Sequence, residues 1–260
     1  MDEEALAAGG DPDFMTSLAR GLAVMRCFAE RERPMTIAQA STMTGLSRPA
    51  VRRCLLTLVR LGYVAQDGSH YALRPKVMAL GYAYLSSTPL AARAQPLLDR
   101  LRDDLGESCS LGVMDEDQVV YIARAEISRI MSIALRVGSR LPLYCTSMGR
   151  ILLAGMARDE RGAYFARTTL TACTERTETH PSRLHALCEN IGEEGFAIVD
   201  QELEHGLRSI AVPVHGLSGR VVAALNVGTQ AARISEPELR TRYLPALRRC
   251  ARDLTAMGLA

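Results

Sequence analysis

No stretch of about 18 apolar residues occurs in this 260-residue chain, so no membrane-spanning helix is expected. The amino end, Met1-Asp2-Glu3-Glu4-Ala5-Leu6, has neither the basic nor the apolar region of a secretory leader, and a cytoplasmic protein is expected. The seven cysteines, at 27, 54, 109, 145, 173, 188 and 250, are odd in number and never in C-x-x-C spacing. That pattern argues for free thiols in a reducing compartment and against a disulfide frame. Five histidines without a Cys/His cluster give no zinc motif, and no cofactor is expected. No internal repeat or low-complexity segment is visible. No nucleophile, base or metal-ligand set converges, which leaves an enzyme as the rival reading and not the first.

What is present is enough apolar residue, 48%, to bury cores in two domains. The formal net charge of +2 hides an uneven distribution. Residues 1–13 carry five acids and no base, and read as a flexible tail. Residues 14–75 carry nine arginines against Glu30, Glu32 and Asp67, while residues 76–260 hold 22 bases and 21 acids. Only one segment is therefore basic enough to neutralise phosphates.

That segment reads as a helix-turn-helix. Thr16 or Ser17 is placed to cap a first helix with Leu18, Leu22, Met25, Phe28 and Ala29 inward, ended by Pro34. Thr36 caps a short helix with Ile37, Ala40 and Met43 inward. Gly45 falls where a tight helix–helix turn needs positive φ. Ser47 caps the next helix, and Pro49 sits in its first turn, where a missing N–H costs little. Val51, Leu55 and Leu58 share one face, Arg53 and Arg60 lie opposite, and Arg48 and Arg52 flank. Gly62 stops this helix. Tyr63–Gln66 and Tyr71–Leu73 around Asp67-Gly68 then read as a two-stranded wing. In such a module the recognition helix enters the major groove amino end first, which brings Ser47, Arg48, Pro49, Arg52 and Arg53 nearest to double-stranded DNA. Arginine is the usual bidentate partner of guanine. Which arginine reads a base and which holds phosphate stays open, and Arg53 reads equally as a brace between helices.

The expected domains are the tail (1–13), the winged helix-turn-helix (14–75), a connecting helix (76–89) and a second domain (90–260). The connecting helix carries Val77, Leu80, Tyr84 and Leu85, with a boundary at Ser86-Ser87-Thr88-Pro89. A long amphipathic helix follows, closed by Gly106. Beyond it, 108–114 and 119–125 pattern as a hairpin and 130–135 as a third strand. Helices are expected from about Met148 to Gly155 and over 182–190. Strands are expected at 196–199, 209–214 and 221–227, and Ser235-Glu236-Pro237-Glu238 opens a last helix. The sum is an α+β architecture, an antiparallel sheet with helices packed on one face.

Four ordered motifs carry a family resemblance. The run Gly45-Leu46-Ser47-Arg48-Pro49-Ala50-Val51-Arg52-Arg53-Cys54-Leu55 resembles the helix-turn-helix of the IclR family of bacterial transcription regulators. Leu141–Ala154, Asp200–Pro213, and Ala223–Gly228 with Arg233-Ile234-Ser235 resemble three later stretches of the same family. Residues 10–24, 80–89 and 200–204 look most like its β-ketoadipate-pathway regulators. The resemblance implies a linker helix used in dimerisation, a GAF-like effector domain, and a homodimer or dimer of dimers. It further implies control of genes for catabolism of protocatechuate and related aromatic acids, with β-ketoadipate as effector and RNA polymerase as a further candidate partner. A relative responding to another aromatic acid, such as 4-hydroxybenzoate, is the alternative.

The family's effector contacts carry over to Ser147 and Met148, to Asp200 and its surroundings, and to Ser209, Asn226 and Gly228. The residues agree in part. Ser147 is placed to cap a helix beginning at Met148, which leaves the N–H groups of Met148, Gly149 and Arg150 for a carboxylate. Arg208 or Arg150 is a partner for a second carboxylate, and each reads equally as an ion-paired structural arginine. Asp200 and Glu202 read equally as a strand-end turn. Cys145 has no histidine beside it and reads as a small buried side chain. Asn226 and Gly228 stand where small hydroxyl residues occur in relatives, so the effector's identity stays open.

Overall fold

The computed structural model describes residues 11, 13–30, 33–87, 89–127 and 135–257. The chain divides into two compact units, Met1–Tyr84 and Leu85–Ala260, with the division inside helix α4 (Met78–Ser87).

In the first unit, α1 (Thr16–Cys27), α2 (Ile37–Thr44) and α3 (Arg48–Arg60) enclose Val24, Cys27, Phe28, Met35, Ala40, Val51 and Leu55. Local chemistry explains the breaks. Thr36 Oγ1 accepts from the Gln39 N–H at 3.3 Å and Gln39 Oε1 accepts from the Thr36 N–H at 2.9 Å, a complete capping box. Gly45 takes φ +70° at the end of α2. Thr44 and Ser41 then tie down the turn, Thr44 Oγ1 donating to Ala40 O at 2.7 Å and Ser41 Oγ to Leu46 O at 2.6 Å.

Several expectations need correcting here. Met15, not Thr16 or Ser17, occupies the position before α1, and it makes no side-chain cap bond. Leu18 and Leu22 are not core: they are 57% and 56% exposed, because the first turns of α1 run along an open apolar groove edged by Leu58 and Leu61. Ser47 holds the cap position of α3 without a side-chain hydrogen bond. The wing has three strands: β2 (Val64–Asp67) and β3 (His70–Leu73) are joined by β1 (Met35–Thr36), in order β1-β3-β2. A two-residue strand is too short for periodicity to reveal. Asp67 belongs to β2 and pairs with His70, so the turn residues are Gly68, at φ +55°, and Ser69.

The second unit is built on a six-stranded antiparallel sheet of β4 (Cys109–Asp115), β5 (Gln118–Ala125), β6 (Arg140–Pro142), β7 (Ala197–Asp200), β8 (Leu207–His215) and β9 (Val221–Gln230), ordered β6-β5-β4-β9-β8-β7. The expected third strand at 130–135 falls almost wholly outside the described residues. Helices cover both faces of this sheet, not one. On one side α5 (Pro89–Leu105) and the last helix α9 (Leu244–Ala256) pack on Leu111, Ile210, Val212, Leu225 and Val227. On the other, α6 (Ser147–Ala154) packs on Val119, Tyr121, Ala197, Ala211 and Ala224, backed by α7 (Arg158–Arg167) and α8 (Pro181–Glu194). The central strands are apolar at nearly every position, Ile210 through Val212 and Ala223 through Leu225 among them. Such strands demand cover on both sides. Helix α7, which buries Tyr164 and Phe165, has no counterpart among the expected elements, since charges dominate its surface.

The pairing of β4 with β5 contains one irregularity. Leu111 pairs with Ala123 but Gly112 pairs with Tyr121, so Ile122 is an extra residue in β5. This bulge reverses the alternation. Val119 and Tyr121 face α6, whereas Ile122, Ala123 and Ala125 face the α5 and α9 side. Arg124 is thereby turned to the α6 side of the sheet.

Candidate functional site

The first unit presents a surface of unpaired positive charge. Ser47, Arg48, Pro49, Arg52 and Arg53 are all exposed, while Ala50, Val51 and Leu55 are buried beneath them. Among the described residues, Arg48, Arg52, Arg53 and Arg60 make no ion pair. The second unit is mixed: among the described residues Arg100, Arg220, Arg249 and Arg252 also make no ion pair, but most of its arginines do. There Arg102, Arg140, Arg167, Arg176, Arg208 and Arg240 each sit against a carboxylate. A cation kept free of acids is available to a phosphate. Arg53 is set apart from Arg52 by about 100° around α3 and borders the groove beside α1, close to Arg20 and Cys54.

In the second unit a pocket opens between the sheet and the start of α6. Its wall includes Ser108, Tyr121, Arg124, Cys145, Thr146 and Ser147, and on the other strands Ser209, Asn226 and Gly228. Leu135, Val199, Leu203 and Leu207 complete it. The free room is about 40 Å³, space for a few waters. Anything larger has to part the aliphatic side chains. Burial pushes both the Tyr121 hydroxyl and the Cys145 thiol up to about 12, so both are neutral lining groups at physiological pH.

Of the residues expected at an effector site, the structure brings Ser147, Ser209, Asn226 and Gly228 together on this wall. It places the others elsewhere. The cap of α6 is Thr146, whose Oγ1 accepts from the Gly149 N–H at 3.2 Å, and not Ser147. Thr146 O accepts from the Arg150 N–H at 2.9 Å. The N–H groups of Ser147 and Met148 are therefore the ones without an acceptor among the described residues. Gly149 faces the backbone of Leu143, and the Met148 side chain packs against Gly112 in the core.

Asp200 and Arg208 pair with each other and are not on the pocket wall. Arg208 Nε donates to Asp200 Oδ1 at 2.7 Å, and its Nη1 donates to Ile234 O at 2.7 Å. Asp200 also pairs with Arg176 at 2.8 Å. The Arg208 contact holds the Asp200 carboxyl below the usual carboxylate range. Arg150 is buried, donating to Tyr144 O at 2.9 Å and to Glu202 Oε2 at 2.6 Å. Glu202 in turn accepts the Glu178 N–H at 2.9 Å. Both arginines thus answer to the ion-paired structural reading. Tyr121 and Arg124 were not expected at the pocket; the bulge that aims Arg124 leaves no mark in sequence periodicity. Among the described residues, no three His, Cys, Asp or Glu side chains form a group able to hold a metal ion.

Comparison with known proteins identifies the family. Residues 17–68 match the IclR helix-turn-helix domain, and residues 82–256 match the family described as bacterial transcriptional regulator IclR C-terminal. The chain is 54% identical to the Pca regulon regulatory protein of Pseudomonas putida, over 94% of this chain and 84% of that one. A transcriptional regulator from Rhodococcus sp. RHA1 superimposes with a TM-score of 0.83 at 45% identity, covering 94% of this chain and 98% of that one. The inducer-binding domain of Acinetobacter PobR, solved as a double mutant with 3-hydroxybenzoic acid, superimposes with a TM-score of 0.61 at 29% identity. It covers 63% of this chain and 96% of that domain. With both halves matched in order, this chain belongs to the IclR family of bacterial transcriptional regulators.

Proposed function

We propose that this protein controls genes for catabolism of protocatechuate-type aromatic acids, binding operator DNA through α3 and the wing and β-ketoadipate in the pocket beside α6. The observation that carries the reading is the pairing of two features in one chain: acid-free arginines clustered on one exposed helix, and a largely apolar pocket that holds a few unpaired polar donors. The 54% identity to the Pca regulon regulatory protein supplies the gene set. Ser47, Arg48, Pro49, Arg52 and Arg53 contact DNA, with Ser47 and Pro49 at the groove floor and the arginines on bases and phosphates. Ser147, Ser209 and Asn226 hydrogen-bond the effector, and Gly228 gives it room. Asp200 and Arg208 act indirectly, bracing the strand that carries Ser209.

The working unit in this reading is a cytoplasmic homodimer or dimer of dimers. Met78, Leu80 and Tyr82 on α4 are 74%, 59% and 72% exposed, and a second copy is the natural cover for apolar side chains on a helix. Contact with RNA polymerase is a further part of the proposal. A second reading, an aromatic monocarboxylate such as 4-hydroxybenzoate, is favoured by the likeness to the PobR domain.

Two measurements test the proposal. Titration of a fluorescent promoter duplex at several salt concentrations should give a steep, salt-dependent affinity. Calorimetry with β-ketoadipate, protocatechuate and 4-hydroxybenzoate should give heat with β-ketoadipate first. Silence with every acid, or turnover of any of them, would remove the effector assignment.

A further inference from the structure

We propose that Arg124 is the charged anchor of the pocket, holding one carboxylate of the effector while the start of α6 holds the other. This rests on the reading of the pocket as an effector site and adds the residue and the charge that decide what enters.

Three observations carry it. First, among the described residues lining the pocket Arg124 is the only charged one, and no carboxylate shares the wall. A low-dielectric pocket holding one cation and no anion favours a ligand that brings negative charge. Second, the guanidinium is incompletely partnered. Nη1 donates to Ser110 Oγ at 2.9 Å, Nη2 lies 3.6 Å from the Glu126 carboxylate, and Nε is buried with no partner. Glu126 is 60% exposed, so water screens that pairing heavily. A bidentate carboxylate satisfies the donors that remain.

Third, a separate set of donors waits at α6. Ser147 is 1% exposed, its Oγ is buried without a partner, and the N–H groups of Ser147 and Met148 are free at a helix amino terminus. That makes a second anion site which owes nothing to Arg124. The bulge at Ile122 shows that the placement is built. In a regular β5 the side chain facing this wall beyond Tyr121 would be Ala123, and the bulge puts Arg124 there instead.

The test uses the full-length protein and two acids that differ by one carboxylate: β-ketoadipate, and levulinate, which keeps the ketone and the distal carboxylate. Calorimetry of the unaltered protein should show β-ketoadipate binding tighter than levulinate by about 100-fold, the order expected of one buried charge-assisted pair. Arg124→Gln should erase that preference while levulinate still binds. If it binds neither acid, Arg124→Lys decides: a point charge at that place keeps the dianion ahead, and equal affinity for both acids would overturn the anchor. Undiminished preference for β-ketoadipate in Arg124→Gln would overturn it outright. If the unaltered protein binds neither acid, the effector reading itself fails, and this proposal with it.

Discussion

Replacing Gly149 by alanine separates ligand contact from packing at the start of α6. A Cβ at position 149 would lie 2.6 Å from Leu143 C and closer still to Leu143 O and Cα, where ordinary contact begins near 3.4 Å. The obstacle is backbone, and that backbone is pinned. Thr146 Oγ1 donates to Pro142 O at 2.7 Å, and Arg150 Nε holds Tyr144 O at 2.9 Å. The helix must therefore retreat by about 1 Å or the strand before it must break. Overpacking of this kind costs roughly 1–3 kcal/mol, and a clash with pinned backbone belongs at the upper end, about 3 kcal/mol. For a unit of this size each kcal/mol moves Tm by about 2–4 °C, so a fall of about 6–12 °C is expected. The assay is thermal unfolding followed by circular dichroism without any acid present. Gly162→Ala is the control, since nothing lies within 4 Å of a Cβ there and the residue sits inside α7. That change should be neutral or stabilising by up to about 1 kcal/mol. A Gly149→Ala protein with unaltered Tm that has lost β-ketoadipate binding would refute the packing argument and return Gly149 to the ligand.

Arg52→Ala should cost about 1–3 kcal/mol in operator binding if it reads a base, with a smaller loss on unrelated duplex, and should lower both equally if it holds phosphate; unchanged affinity on both would exclude contact. Asp200→Asn should destabilise the protein at neutral pH by about 1–2 kcal/mol through loss of the Arg208 contact. Because that contact lowers the Asp200 titration, its contribution is complete above the ordinary carboxylate range and drains away as pH falls through the lowered value. The variant should accordingly show a shallower acid limb in a stability–pH profile, and an identical limb would contradict the assignment. Thiol titration of the native protein should modify Cys173 first, as the exposed cysteine. Cys145, Cys109 and Cys250, each buried and pushed up to about 12, should react only on unfolding; a fast phase that survives replacement of both Cys173 and the half-buried Cys54 by serine would show otherwise.

The helix-turn-helix was legible in outline because most of its determinants are local. Thr36 at the start of α2, Gly45 at its end and Pro49 in the first turn of α3 each act within four positions along the chain. The stripe of Val51 and Leu55 declares the buried side of α3 without reference to any distant segment. The unpaired arginines needed only the charge count. Reach was harder to judge: Leu18 and Leu22 have core spacing, yet burial requires a neighbour to cover them, and spacing says nothing about neighbours.

The pocket was legible only as a set of segments. Ser147, Ser209, Asn226 and Gly228 come from α6 and two strands, and it was the family resemblance that singled them out. Their meeting depends on the pairing of β8 with β9, which sets Ser209 opposite Gly228, and on α6 lying across the sheet. Side-chain direction was likewise tertiary. In the sequence Arg150 and Arg208 read equally as ligand partners or as ion-paired arginines, and only the fold sets them against the acids at 202 and 200. Arg124 looks like any strand arginine, and one extra residue in the pairing of β4 with β5 turns it inward. Chemistry within a turn or two of helix is written in neighbouring residues, whereas register and long-range charge pairing exist only once the sheet has closed.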